Sequence, residues 1–164
     1  MKLNPLIVST ALALTILTTR APAAEPETVY ISSLDLSPIA QGWGQPQADK
    51  AVTGAPMSVG GKKFERGLGT HTDSLVRLQL KSGSEKFMAF VGVDDAAKSD
   101  SAVVTFRLVG DGKTLWKSPG MKRGQPARTV DVSVKGIKTL LLLANSGGDI
   151  SFGHADWADA RLVR

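Results

Sequence analysis

The sequence predicts an all-β sandwich, jelly-roll in type, of about eight strands. Three observations carry that expectation. Short apolar runs recur, and most alternate with polar residues at the period of two that a half-buried strand shows. Stretches rich in Gly and Pro separate them at short spacing. No stretch shows a sustained helical period. Many short strands joined by frequent turns favour two packed sheets over any layered α/β arrangement.

The N-terminus is read apart from this fold. Met1-Lys2 supply positive charge, Leu6 to Leu17 form a short apolar run, and Ala21-Pro22-Ala23 places small residues at −3 and −1 of a cleavage point. That is the pattern of a secretory signal peptide, too short for a membrane span. The expected division is a leader over 1–23 and one domain over 24–164, delivered to the periplasm or secreted. The chain has no cysteine, so neither a disulfide framework nor a lipidated cysteine applies, and the domain relies on its core. Loss of Lys2 and Arg20 leaves 18 basic residues against 15 acidic, so the formal charge falls from +5 to +3. The remaining cations are scattered, without the basic stripe that nucleic acid requires.

The elements follow in order. Val29-Tyr30-Ile31 is a weak first strand. Leu34 to Asp49 is irregular, broken by Pro38, Gly42, Gly44 and Pro46, and its Trp43 sits between two glycines as in a loop pressed close to a neighbour. Pro56 to Val59, the Gly60-Gly61 pair and Lys62 to Phe64 read as strand, tight turn, strand. Val76, Leu78 and Leu80 alternate with Arg77 and Gln79, giving one wet face. Phe87 to Val93 is apolar throughout, as expected of a central strand covered on both faces. Val104, Phe106 and Leu108 alternate next. Gly110-Asp111-Gly112-Lys113 then supplies a hairpin turn, because Asp-Gly accepts the positive φ of a type I′ turn, and Thr114 to Trp116 returns. Val130, Val132 and Val134 alternate, Thr139 to Ala144 is a second apolar central run, and Asn145 to Asp149 is a loop. The polar, aromatic stretch Gly153 to Trp157 leads into a closing strand in which Ala158, Ala160 and Leu162 share a face.

Three polar clusters sit at strand edges: Gly69 to Ser74, Gly92 to Asp95, and Gly153 to Asp159. Hydrolytic chemistry fits them poorly. Gly-x-Ser-x-Gly is absent, and Asp94 and Asp95, as neighbours on a strand, would point to opposite faces and not straddle one bond. A hydrolase using His71 with Asp94 or Asp95 ranks last. Two histidines without cysteine make zinc a weak prospect, whereas calcium takes oxygens, which the loop Gln47 to Thr53 offers through Asp49, with Asp159 arriving from the last strand. Sugar binding needs an aromatic platform and a few fixed polar groups. Trp43, His71, Asp94, Asp95, His154, Asp156 and Trp157 are of the right types. Trp157 reads equally well as a core aromatic, and His71 as a buried imidazole bonded to a carboxylate such as Asp94.

Trp43-Gly44, Asp49-Lys50, Gly60-Gly61-Lys62, Gly67-Leu68-Gly69-Thr70-His71, Val91-Gly92-Val93-Asp94-Asp95, Gly110-Asp111-Gly112-Lys113 and His154-Ala155-Asp156-Trp157-Ala158-Asp159-Ala160 occur in that order. Together they resemble the NPCBM family, the novel putative carbohydrate-binding module also called family 51 of carbohydrate-binding modules, from about Thr28 to Leu162. The resemblance implies a galactose-binding-like β-sandwich that binds galactose-containing glycans without catalysis, with Trp43 as platform and His71, Asp95, Asp156 and His154 holding hydroxyls. It also implies a structural calcium held between an early loop and the final strand, at Asp49 and Asp159. Relatives often carry an acidic residue where this chain has Gly153. No catalytic domain accompanies the module within these 164 residues. That raises an alternative, an envelope structural or protein-interaction domain that keeps the fold without sugar and takes a periplasmic protein as partner.

Overall fold

Antiparallel pairing accounts for every strand of the computed structural model, which describes residues 26–164; the expected leader over 1–23 lies outside them. In chain order the strands are β1 (Thr28–Tyr30), β2 (Gln47–Ala48), β3 (Met57–Val59), β4 (Lys62–Phe64), β5 (Gly67–His71), β6 (Ser74–Gln79), β7 (Lys86–Val93), β8 (Val104–Gly110), β9 (Lys113–Lys117), β10 (Arg128–Ser133), β11 (Thr139–Ser146) and β12 (His154–Val163). One sheet runs β10-β7-β12-β5-β2, with β1 against the far half of β12; the other runs β6-β11-β8-β9; β3 and β4 form a separate hairpin. The expected sandwich is present. Twelve strands stand against the expected eight or so, and the two that no pattern marked are short or glycine-rich: β2 has two residues, and β5 begins Gly-Leu-Gly, which carries no period-two signal. Among the described residues no helix is long and apolar enough to cross a membrane.

The two inner faces close on each other. Phe87, Val91 and Trp157 of the first sheet meet Phe106, Leu140 and Leu142 of the second, and all six are fully buried. Trp157 stands edge-on to Phe87 at 6.2 Å and to Phe106 at 5.3 Å between ring centroids, so one side chain bridges both layers. Full burial of such a side chain is worth roughly 1.5–3 kcal/mol. β6 alternates buried and exposed residues as expected. β7 and β11 do so too, which corrects the expectation of cover on both faces: Met88, Phe90, Leu141 and Leu143 are only half-buried. An apolar run permits double cover and does not require it. On β7 the outer face gets partial cover from the β3–β4 hairpin, with Phe64 at 5.5 Å from Phe90 and the Lys62 ammonium 4.1 Å from the Phe90 ring.

Two backbone features depart from regular strand geometry. Asp111 (φ 45°) and Gly112 (φ 82°) make the expected type I′ hairpin between β8 and β9. The other is a break inside β12. Its register shifts between Ala158 and Arg161, where Asp159 adopts φ 51°. This is a bulge, and it moves the strand's alternation by one residue. Ala155 and Trp157 before it, and Ala160 and Leu162 after it, all join the core. Ala158 therefore does not share a face with Ala160 and Leu162; it lies on the outer face with His154 and Asp156.

Candidate functional site

The site is built on that outer face. Directly paired residues of neighbouring strands point the same way. His154 pairs with His71, and Asp156 pairs with Gly69 on one side and Gly92 on the other. Neither glycine could carry a side chain. A Cβ at Gly69 would overlap the backbone of Lys50 and Ala51, and one at Gly92 would overlap Val59. Loop 49–53 and the β3–β4 hairpin thus lie directly on the sheet over Asp156 and leave the histidine pair uncovered.

Trp43 completes the pair from above. Its loop presses onto the end of β5, since a Cβ at Gly42 would overlap the Thr72 carbonyl. Gln41 fixes the approach: its Nε2 donates to the Trp43 carbonyl at 2.8 Å, and its Oε1 accepts from the His71 backbone N–H at 3.2 Å. The Trp43 ring lies 5.4 Å from His71 and 6.1 Å from His154, nearly parallel to the latter, and the two imidazoles are 5.6 Å apart. Trp43 is 54% exposed, whereas His71 and His154 are buried to their edges. The three rings line a cleft of about 490 Å³, whose far wall is Ile150, Ser151 and Phe152 from the β11–β12 loop, with Thr53, Ala96 and Lys98 at its sides.

The ring nitrogens are assigned by their partners. His71 Nδ1 donates to the Thr72 carbonyl at 2.6 Å, so its Nε2 is an acceptor in the neutral ring. The expected bond from His71 to Asp94 does not form. His154 Nδ1 is sealed without a partner. Burial pushes the His154 pKa below the ordinary imidazole value, nearby His71 pushes the same way, and Asp94 opposes them more weakly. Burial thus favours the neutral His154 ring as a hydrogen-bonding group. Ser74 donates to Thr70 Oγ1, which donates to the Ala155 carbonyl, so the polar residues beside His71 form a local network and not a nucleophile with its base.

The carboxylates take other positions. Asp94 and Asp95 follow the end of β7 in a loop. Asp94 is fully buried and accepts from the backbone N–H groups of Ser58 (3.0 Å) and Ala96 (2.8 Å). Asp95 accepts from Ser58 Oγ (2.6 Å), Gly60 N (3.0 Å) and Gly61 N (2.9 Å), which fixes the β3–β4 turn. Asp156 is fully buried, and both its oxygens lack a donor. Burial above all, then hydrogen bonding to Asp94 and the charges of Asp94 and Asp95, raises its pKa well above the ordinary carboxylate value. A proton on Asp156 turns one oxygen into a donor toward Asp94, which relieves the clash of two acceptors. Trp157 belongs to the core. Of the seven residues expected to touch sugar, Trp43, His71 and His154 line the cleft, and Asp94, Asp95, Asp156 and Trp157 do not. Thr53, Lys98, Ile150 and Phe152 went unnoticed in the sequence, because nothing in their local pattern brings three separate loops to one mouth.

The two carboxylates expected to hold calcium lie at the start of β5 and at the β12 bulge. Asp49 (φ 58°) accepts from Gly67 N at 3.0 Å, and the Asp159 carboxylate is held by the Arg161 guanidinium, which also donates to the Asp159 carbonyl. Among the described residues no group of three or more His, Asp or Glu is gathered as a metal site. Each carboxylate is engaged, and that of Asp159 by a cation that a calcium ion would have to displace. At position 153 a Cβ would overlap Thr72 Oγ1, so the strand entry here accepts glycine and not an acidic side chain.

Residues 27–163 match the family described as the NPCBM/NEW2 domain. Alpha-1,3-galactosidase B of Akkermansia muciniphila is 34% identical over 120 residues, which is 71% of this chain and 15% of that protein's length. The chain thus spans less than a sixth of that relative. The CBM51 of Clostridium perfringens GH95, solved with methyl-galactose, superposes with a TM-score of 0.77 at 28% identity, covering 83% of this chain and 99% of that one. CBM51-2 of Clostridium perfringens ZmpB, solved with GlcNAc, gives 0.78 at 26% identity, covering 84% of this chain and 32% of that one.

Proposed function

The chain belongs to the NPCBM/NEW2 family, and from that premise we propose that it holds a galactose-type sugar in the cleft of Trp43, His71 and His154. The observation that carries this reading is the half-exposed Trp43 ring fixed beside two imidazoles whose Nδ1 atoms are turned inward. The apolar C–H face of a galactose ring stacks on indole. Its hydroxyls can donate to Nε2 of neutral imidazoles, and the low His154 pKa favours that state. The CBM51 solved with methyl-galactose supports the choice of sugar by likeness.

The proposed role is binding without catalysis. Asp94 and Asp95 serve the backbone of the β3–β4 hairpin, and His71 faces a carbonyl and not a carboxylate, so neither a paired-carboxylate nor a triad geometry arises at the cleft. Export through the leader over 1–23 belongs to the same proposal, since its charge, apolar run and small-residue site are those of a secreted chain. Calorimetric titration of the full chain with methyl galactoside tests it. Saturable binding that Trp43→Ala weakens while the melting temperature holds supports the reading. Absence of binding by folded protein across the millimolar range overturns it and favours an envelope domain with a protein partner.

A further inference from the structure

We propose that the cleft selects galactosides bearing an anionic substituent, a sulfate or a carboxylate, and that Lys98 is the residue that makes the selection. This rests on the reading of the cleft as a sugar site and extends it to ligand class. None of the residues lining the cleft is Asp or Glu. A site for a neutral sugar commonly uses a carboxylate to accept from two hydroxyls. Here the carboxylates that the sequence brings to this end are engaged elsewhere: Asp94 and Asp95 on backbone N–H groups, and Asp156 buried between Gly69 and Gly92.

What remains at the mouth is one cation. Lys98 is exposed, lines the cleft, and among the described residues forms no ion pair. Asp94 and Asp95 before it hold backbone N–H groups, and two further acidic residues at this end are engaged as well. Asp100 pairs with Arg123 at 2.6 Å, and Asp149, on the loop opposite, accepts from Ser151 N at 2.8 Å. The position of Lys98 is also built. Asp94 holds Ala96 N at 2.8 Å, its carbonyl accepts from Ala97 N at 3.1 Å, and Ala97 is buried, so the chain leaves a fixed turn directly before Lys98. An unpaired ammonium beside rings that offer no negative charge attracts an anion, and a substituent on a stacked galactose would meet it at the rim.

The test titrates the full chain with methyl galactoside, galactose 3-sulfate, galactose 6-sulfate and galacturonate, using wild type and Lys98→Gln. The expected result is at least one anionic sugar bound about tenfold more tightly than methyl galactoside, a ratio that falls toward one in Lys98→Gln and narrows with added salt. The sulfated arms against galacturonate tell which anion is preferred. Equal affinity for neutral and anionic sugars, or a preference that survives Lys98→Gln, overturns the selection by Lys98 and leaves the sugar site standing. Failure of every sugar to bind overturns both.

Discussion

The two faces of the β5–β12–β7 sheet are made from alternate residues of the same three strands, yet they are completed by different means. On the inner face Leu68, Trp157 and Val91 stand side by side and are filled by the opposing sheet. On the outer face the row one step along is Gly69, Asp156 and Gly92, where loop backbone and one valine lie in the space of the missing side chains. The inner face satisfies the hydrophobic effect and tolerates one lone donor, the unpartnered Trp157 Nε1. The outer face carries His154 Nδ1 without a partner and the two Asp156 oxygens without a donor. Core packing lies on one side of each strand and the candidate site on the other. A one-residue step in alternation separates a core tryptophan from a site histidine.

The largest expected effect breaks the inner face. Trp157→Ala should cost about 3–5 kcal/mol of unfolding free energy in urea titration, enough to leave the domain marginal, because the cavity spans both sheets. A loss below about 1 kcal/mol would mean that Trp157 does not bridge them. The next effect belongs to the outer face and shows as a pH dependence. The Asp156 pKa is raised on folding, so the folded state keeps a proton that the unfolded chain releases. Its contribution is full below about pH 4 and declines as pH rises toward the folded value. His154, lowered by burial, acts oppositely: its contribution is full above about pH 6.5 and is lost on acidification. In Asp156→Asn the decline above pH 4 should vanish, so the variant gains stability relative to wild type as pH rises toward neutral. Parallel pH–stability curves for variant and wild type would show that Asp156 does not titrate on folding.

The sandwich was legible because alternation and turn residues are local signals. Val76 to Leu80, Val104 to Leu108 and the Asp111-Gly112 turn all appear where the pattern puts them. The site was legible in part. Residue type marked Trp43, His71 and His154, but type alone could not tell them from Asp156 and Trp157, since that depends on which face each occupies. Parity along His154 to Ala158 would have separated Trp157 from its neighbours, had that stretch been read as strand. The bulge hid it: Asp159 in the left-handed region resets the alternation, so counting back from Leu162 and Ala160 puts Trp157 on the wrong face. The cleft wall was not legible at all. Lys98, Ile150 and Phe152 come from loops whose convergence is set by sheet order, which no local pattern encodes.

A smaller effect on the fold, and a larger one on binding, should come from the one ring that belongs to neither face. Trp43 packs from the loop above and keeps half its surface in solvent. Trp43→Ala should leave unfolding free energy within about 0.5 kcal/mol of wild type, as at other exposed positions. It should weaken sugar binding by about 1–3 kcal/mol through lost stacking. Equal losses in both measurements would place Trp43 in the core economy with Trp157.

The smallest effect concerns calcium, and it sharpens the contrast at the bulge itself. Asp49 and Asp159 flank the start of β5, where Asp49 N donates to the Gly67 carbonyl and Asp159 N to the Arg66 carbonyl, both at 2.8 Å. Both adopt left-handed backbone conformations, as a metal loop often demands, yet each carboxylate is already partnered, by Gly67 N and by Arg161. A cation entering here must first displace a guanidinium. Calcium or a chelator should therefore leave the melting temperature of the full chain unchanged, whereas a ligand at about 100 times its dissociation constant would add about 2.7 kcal/mol and several degrees. The same titration on Arg161→Ala isolates the cause. If calcium stabilises only that variant, Arg161 occupies the charge position of a metal. If it stabilises wild type as well, the carboxylate pair binds calcium in spite of Arg161, and the bulge is a metal site after all.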